Sequence, residues 1–162
     1  MSKVDIRPMT QEEDSIVAEA WWGWLRAAFP WQPVVMSHTL PQTISFFRAV
    51  VSTQNKVWVA SDQERILAMI AFSDSEVDQL YVAPEAQGRG LGSRLLSVAK
   101  GASDGALRLY TFQANRNGRA FYANQGFKEV VFGMSPPPEN EPDVLLVWAP
   151  PLPVGADSPQ ET

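Results

Sequence analysis

A glycine-rich segment between a predicted strand and a predicted helix constrains this chain more than any other feature. It reads Gln87-Gly88-Arg89-Gly90-Leu91-Gly92-Ser93 and follows an apolar run that ends at Val82. Glycine allows positive φ angles and lets an anion approach the backbone N–H groups closely. The first turn of a helix adds N–H groups without intrahelical acceptors, together with roughly half a positive charge from the helix dipole. The segment therefore predicts a phosphate-binding turn.

Two common phosphate-binding loops do not fit this segment. A P-loop ends in Gly-Lys-Ser/Thr, whereas this loop ends in Gly90-Leu91-Gly92-Ser93. A dinucleotide-binding fingerprint that starts at Gly88 and Gly90 needs a third glycine where Ser93 stands. It also needs an acidic residue about 20 positions further on, where the chain has Phe112. Both classes are excluded.

The loop does resemble the pyrophosphate loop of the GNAT superfamily of acetyl-CoA-dependent N-acyltransferases. The resemblance rests on the Gln-x-x-Gly-x-Gly spacing from Gln87 to Gly92 and on Val82-x-Pro84 before it. A second segment, from Asn115 to Phe127, is similar to that superfamily's Asn…Ala-x-x-Phe-Tyr-x-x-x-Gly-Phe segment. The two segments occur in the family's order with one predicted strand between them. The resemblance extends over roughly residues 4–148.

The resemblance implies that acetyl-CoA, as co-substrate, lies in a wedge between two splayed strands, Glu76–Val82 and Leu107–Phe112. Backbone groups of the first strand would bind the pantetheine arm and polarise the thioester carbonyl. N–H groups of the glycine loop would hold the pyrophosphate, and an asparagine would hydrogen-bond the pantetheine arm. The implied cofactor-binding residues are Leu80, Tyr81, Val82, Gln87, Gly88, Arg89, Gly90, Leu91, Gly92, Ser93 and Asn115.

The same resemblance implies two catalytic residues, Tyr122 and Glu76. Tyr122 would lie beside the thioester sulfur, where a phenol can donate a proton to the departing thiolate. The attacking amine needs a base, because an amine with a pKa of about 10.4 is almost fully protonated at pH 7. Glu76 matches the base glutamate of histone-type members, and Asp78 follows two residues later on the same strand face. Other members carry this glutamate at the position of Tyr110, so the base assignment stays open.

Composition removes several other chemistries. The chain has no cysteine, which excludes disulfide scaffolds, zinc–thiolate sites and cysteine nucleophiles. His38 is the only histidine, so we expect no metal site, and we expect this residue to lie in a loop. No serine has an adjacent base, which predicts direct attack without a covalent enzyme intermediate. A net charge of −5 argues against nucleic-acid and membrane partners and mildly favours cationic substrates.

The order of predicted elements is β-α-α-β-β-β-α-β-α-β-β, with hairpin strands before a β-α-β crossover. It predicts a mixed α/β sheet in a single GNAT-type domain, residues 1–149, with about seven strands and four helices. Residues 150–162 are rich in proline and predict a mobile tail. The predicted helices are one from Thr10 towards Phe29, which Pro30 and Pro33 end, one that starts at Pro41, and one over Asn117–Asn124, which Gly126 ends. The other predicted strands are Lys56–Ala60, Ile66–Phe72, Phe127–Val131 and Val144–Trp148.

Large aromatic side chains crowd the first predicted helix. Helical spacing places Trp21 and Trp24 on a core-facing stripe, whereas Trp22 and Phe29 lie off it. These are too many large rings for one buried face. We therefore expect one or two of them to wall an amphipathic or aromatic acceptor pocket.

Together these features predict an N-acetyltransferase that moves an acetyl group to a primary amine of a small molecule. Two alternatives stay open. A protein or peptide N-acetyltransferase would use the same residues with an open groove, and a non-catalytic acyl-CoA-binding module would bind without turnover. The charged N-terminus lacks a long apolar run, so we expect a cytoplasmic protein. An exposed strand near the C-terminus would permit a homodimer.

Overall fold

The computed structural model describes residues 3–63 and 65–150. Nearly all of the predicted tail therefore lies outside the described residues. In chain order the elements are β1 (Val4–Pro8), α1 (Asp14–Ala28), α2 (Pro33–Ser37), α3 (Leu40–Phe46), α4 (Ser52–Gln54), β2 (Lys56–Asp62), β3 (Arg65–Phe72), β4 (Val77–Val82), α5 (Leu91–Ala102), β5 (Leu107–Phe112), α6 (Arg116–Asn124), β6 (Lys128–Met134) and β7 (Pro142–Trp148).

The predicted α/β class and the seven strands are confirmed, but the strands form two sheets rather than one. One sheet has the order β1-β2-β3-β4 and the other β5-β7-β6, and every pair of neighbours is antiparallel. A single parallel bridge, between Glu76 and Arg108, connects the two sheets in the described ranges. The parallel crossover that the sequence predicts is therefore real, but it is reduced to one point of contact.

The helical region before β2 is more broken than predicted. Helix α1 follows a capping box in which the Thr10 N–H donates to Glu13 Oε1 at 2.8 Å, as the sequence indicates. Pro33, which we expected only to end α1, also begins the short helix α2. Proline suits the first helical position because its N–H would have no acceptor there. Gln32 Oε1 caps this helix by accepting two backbone N–H groups of its first turn at 2.7 and 3.0 Å.

Two apolar clusters cover the two faces of the sheets. Helix α5 buries Leu95, Leu96 and Ala99 against the strands on one face. On the other face α1 and the π-helical turn Phe47–Val51 pack against β2 and β3. None of the helices in the described ranges is both long and apolar enough to cross a bilayer.

Strands β4 and β5 diverge from their point of contact and open a wedge. Next to the bridge, the Arg108 N–H donates to the Ser75 carbonyl at 3.0 Å. Beyond it, each strand is the edge of its own sheet and pairs only on its outer side. Strand β4 also contains a β-bulge, which adds to the divergence. Val77 pairs with Phe72 and Gln79 pairs with Ala71, so Asp78 is the extra residue between them. The splayed strands that the resemblance implies are thus present.

Candidate active site

Two adjoining clefts fill the wedge. The loop cleft, of about 790 Å³, is lined by the end of β4, the glycine loop and the inner face of α6. The aromatic cleft, of about 660 Å³, is lined by the start of β4, by β5 and by the strands beyond it. Phe29 and Tyr81 line both clefts, so the two meet where α1 ends against β4.

The glycine loop presents its backbone N–H groups to the loop cleft. Gly88 and Gly90 have φ angles of 81° and 77°, which side-chain-bearing residues rarely adopt. Gly90 is the N-cap of α5 and provides no side-chain cap. Among the described residues, no hydrogen-bond acceptor pairs with the N–H groups from Gly88 to Ser93; the next one, Arg94 N–H, donates to the Gly90 carbonyl at 3.0 Å. This arrangement is an anion cradle at a helix N-terminus, and it fits a pyrophosphate.

The backbone of β4 forms one wall of the loop cleft. Leu80, Tyr81 and Val82 line it, and the strand edge away from β3 has no strand partner there. The Gln87 side chain donates to the Val82 carbonyl at 3.3 Å, so Gln87 joins the loop to the strand. Arg89 is exposed and makes no hydrogen bond or ion pair with any described residue. Its guanidinium is available to an anion at the cradle.

Tyr122 lies on α6 and reaches the loop cleft from the opposite side. The residue is 8% exposed, with the Phe121 and Phe127 rings 5.3 and 5.6 Å from its own. Burial raises the pKa of the Tyr122 phenol far above its ordinary range, so the group stays protonated. No acceptor in the described part of the chain takes its hydroxyl proton. A protonated donor therefore faces the cleft.

Asn115 lies in the loop cleft, but its side chain already has partners. Its Oδ1 accepts the Gly118 N–H at 3.2 Å, and its Nδ2 donates to Thr111 Oγ1 at 2.9 Å. The residue is the N-cap of α6, and a side chain at position 118 would collide with the asparagine amide. The structure thus places Asn115 in the cleft as a helix cap, and its contact with pantetheine stays a prediction.

The two candidate base residues have different surroundings. Glu76 is 38% exposed at its side chain, and its Oε2 lies 3.7 Å from a guanidinium nitrogen of Arg108. It lines neither cleft. Asp78 lines the aromatic cleft and accepts a hydrogen bond from Asn55 Nδ2 at 3.1 Å. Loss of solvent around Asp78, and secondarily the charge of Glu76, raise the pKa of the Asp78 carboxyl.

Phe29 is the aromatic side chain that separates the two clefts. Its ring lies 5.1 Å from the Phe112 ring and 6.5 Å from the Tyr81 ring, both edge to face. Trp24 lines the loop cleft, whereas Trp22 uses its Nε1 to donate to the carbonyl of the exposed loop residue His38 at 2.9 Å. Of the rings that the sequence singled out, Phe29 and Trp24 reach the clefts and Trp22 does not.

Residues of the second sheet form much of the aromatic cleft and were missed by the sequence analysis. They are Tyr110 and Thr111 of β5, Val131, Gly133 and Met134 of β6, Ser135 and Pro136 of the following loop, and Asp143 of β7. One signal was available. In Asp143–Trp148 a single charged residue occurs in an otherwise apolar strand, which indicates a carboxylate on a covered sheet face.

Within the described residues no three His, Cys, Asp or Glu side chains are placed to hold a metal ion.

Comparison with known proteins agrees with this geometry. The family model "Acetyltransferase (GNAT) domain" matches residues 53–129, which contain the glycine loop, both walls of the wedge and Tyr122. A search of curated proteins found no match to the sequence. Residues 53–129 match an acetyltransferase domain of the GNAT superfamily, and this match identifies an acyltransferase enzyme.

Solved structures share this fold over almost the whole chain. The GCN5-related N-acetyltransferase from Rhodopseudomonas palustris has a TM-score of 0.71 at 17% identity, covering 92% of this chain and 97% of that one. The PaiA N-acetyltransferase from Thermoplasma acidophilum, solved with coenzyme A, gives 0.68 at 17%, covering 91% and 99%. YncA from Salmonella typhimurium, solved with acetyl-CoA, gives 0.67 at 17%, covering 91% and 94%.

Proposed function

We propose that this protein transfers an acetyl group from acetyl-CoA to a primary amine of a small molecule by direct attack. The observation that carries the proposal is the row of N–H groups from Gly88 to Ser93, which have no acceptor among the described residues and lie in the same cleft as the open edge of β4 and Tyr122. The acetyltransferase domain match and the neighbours solved with coenzyme A and acetyl-CoA support it.

The loop cleft would hold acetyl-CoA through the chain's backbone. The N–H groups from Gly88 to Ser93 would bind the pyrophosphate, with Arg89 adding charge at the rim. The free edge of β4, from Leu80 to Val82, would pair with the pantetheine amides. Bound acetyl-CoA supplies a thioester whose carbonyl carbon accepts an amine. Catalysis by the chain then consists mainly of orientation and of hydrogen bonding to the polarised carbonyl oxygen.

Tyr122 is the proposed general acid. Its phenol is protonated, buried and unpartnered, so it can donate to the thiolate as the carbon–sulfur bond breaks. The position of this group in the loop cleft, opposite the backbone of β4, supports the role that the resemblance implies.

Asp78 is the proposed general base. The raised pKa of its carboxyl makes it a stronger base than an ordinary aspartate, and it lines the cleft that adjoins the cofactor cleft. The sequence favours Glu76, but the Glu76 carboxylate lies next to Arg108 and lines neither cleft. The surroundings of the two carboxylates therefore support Asp78, and Glu76 stays the alternative.

The segments that border the aromatic cleft support a small molecule over a peptide. Gln32 Nε2 donates to the Glu139 carbonyl at 3.3 Å and so joins the segment after α1 to the loop between β6 and β7. Phe29 and Pro136, which line the aromatic cleft, lie on these two joined segments. A peptide would need a long groove open at both ends, and this contact joins the two segments beside the cleft. A homodimer and a cytoplasmic location stay predictions.

The experiment is an assay of thiol release from acetyl-CoA with a panel of primary amines and lysine-containing peptides. We expect release that depends on a small amine and exceeds the rate without acceptor. Release with peptides, but with none of the small amines, would instead support acetylation of proteins or peptides. Tight acetyl-CoA binding without release by any acceptor would identify a binding module and contradict the enzyme.

A further inference from the structure

Asp143 is a buried carboxylate without a partner. The residue is 8% exposed and lies on β7, the central strand of the second sheet, paired with Phe112 on one side and Gly133 on the other. Within the residues that the structure describes, no group donates a hydrogen bond to either carboxylate oxygen, and no Lys, Arg or His forms an ion pair with it. Only its backbone carbonyl has a side-chain donor, Gln113 Nε2 at 2.9 Å.

Such a group is unfavourable unless something neutralises it. A carboxylate that has lost most of its contact with water gains from a cationic partner, and buried charges in proteins are almost always paired. Nothing in the described fold pairs Asp143. The carboxylate does line the aromatic cleft, from which a ligand can reach it. Gly133 borders the carboxylate, and a Cβ there would lie in ordinary contact with it, 3.4 Å from Asp143 Oδ1.

The rest of the cleft favours the same kind of ligand. Among the described residues that line it, Asp78 and Asp143 are the only charged ones, and none is Lys, Arg or His. The walls are apolar and aromatic, formed by Phe29, Tyr110 and Phe112 with aliphatic groups of β6. Aromatic faces attract cations in addition to burying apolar surface. A cation with an apolar body matches both features.

We propose that Asp143 determines acceptor specificity by binding a second cationic group of the acceptor. The acceptor class is an amine with an apolar, preferably aromatic, body that carries another ammonium or guanidinium group. One amine is acetylated near Asp78, and the other cation pairs with Asp143 and stays unmodified. This inference rests on the proposed function, because it assigns the substrate class of the same site.

The test compares two matched amines, phenethylamine and 4-(2-aminoethyl)benzylamine, which differ by one aminomethyl group. Their affinities are measured by calorimetry with the protein saturated with coenzyme A, so that turnover is not required. We expect the diamine to bind at least tenfold more tightly to the wild type. Asp143→Asn, which keeps the shape and removes the charge, should abolish this preference. Asp104→Asn, in the exposed turn after α5, is the control and should keep the preference.

Equal affinities of the two amines for the wild type, or no binding of the diamine, would overturn the inference. So would a preference that survives in Asp143→Asn. The comparison in the wild type needs no variant, so it stands even if a variant fails to fold.

Acetyl-CoA is titrated into the same preparation. Failure of acetyl-CoA to bind would overturn the proposed function itself, whereas normal acetyl-CoA binding with no diamine preference would overturn only the acceptor class.

Discussion

Glu76 and Arg108 join the two sheets at the narrow end of the wedge. Their backbones form the parallel bridge between the β4 and β5 sides, and their side chains lie 3.7 Å apart as an ion pair. The strands separate from this point. Glu76 therefore helps to join the two sheets at the position where the sequence predicts a base. Of Glu76 and Asp78, only Asp78, the extra residue of the bulge, lines a cleft.

Asp78→Asn should lower kcat by about 10²-fold or more, the usual contribution of a general base. Glu76→Gln should cause a much smaller loss, because it removes an exposed ion pair worth about 1 kcal/mol or less. Steady-state kinetics with a saturating amine would separate the two. The opposite order of effects would assign the base to Glu76, as the sequence suggests.

The pH dependence gives a second test of the same assignment. The base acts when deprotonated, and the pKa of Asp78 is raised, so kcat/KM should increase with pH through a step above the ordinary carboxyl range. Asp78→Asn should remove this step, and Glu76→Gln should keep it at a lower pH, because Glu76 contributes to raising the pKa of Asp78.

Tyr122→Phe should reduce kcat strongly, by about 10²-fold, while acetyl-CoA affinity changes little, because the hydroxyl has no partner in the fold and the ring packing is kept. Tyr110→Phe removes an exposed hydroxyl from the aromatic cleft and serves as a control that should keep most of the activity. Rates and acetyl-CoA dissociation constants are measured for both variants. Equal losses of kcat and affinity in Tyr122→Phe would make Tyr122 a packing residue.

Phe29→Leu should raise the acceptor KM, because it removes an aromatic ring from the wall that both clefts share. Its cost in stability should be modest, since the replacement stays apolar and of similar volume. Trp22→Phe should lower the melting temperature by removing the hydrogen bond to His38, with no change in acceptor KM. A change of acceptor KM in Trp22→Phe alone would show that the cleft extends to that ring.

The sequence predicted the parts of the site that depend on local chain geometry. The glycine loop needs its own positive φ angles and the helix that follows it, and Tyr122 lies within one contiguous segment. The sequence predicted an acceptor pocket walled by a ring of the first helix but not its other walls, because Phe29 and Asp143 come together only through the packing of α1 and β7 around the wedge. The bulge at Asp78 was also hidden, because it depends on the register with β3. Strict alternation placed Asp78 beside Glu76 and missed their different surroundings.

The N-terminal capping box should make stability depend on pH. Arg7 contacts both carboxylate oxygens of Glu13 at 2.7 Å, and this ion pair, with the Thr10 N–H, lowers the pKa of Glu13 from its ordinary 4.5 to about 2. A lowered carboxyl pKa stabilises the fold at pH above 4.5, and the contribution is lost as pH falls towards 2. Glu13→Gln should therefore lower the melting temperature at neutral pH, and the difference from wild type should shrink through that window.

The matched control is Glu12→Gln, because Glu12 is exposed and makes no ion pair with a described residue. It should leave the melting curve unchanged at each pH. A constant difference between Glu13→Gln and wild type from neutral pH down to about pH 2 would exclude the ion pair as the cause.

The most direct measurement is a calorimetric titration of acetyl-CoA into the wild type, Gly90→Ala and Gly101→Ala, with NADH and ATP as control ligands. Gly90 has a φ of 77°, where alanine is strained by about 1 kcal/mol or more. Gly101 lies within α5 with open space around it, so alanine is tolerated there. We predict micromolar binding of acetyl-CoA alone, weakened at least severalfold in Gly90→Ala and unchanged in Gly101→Ala. No binding of acetyl-CoA by the wild type, or equal binding of NADH, would contradict the account.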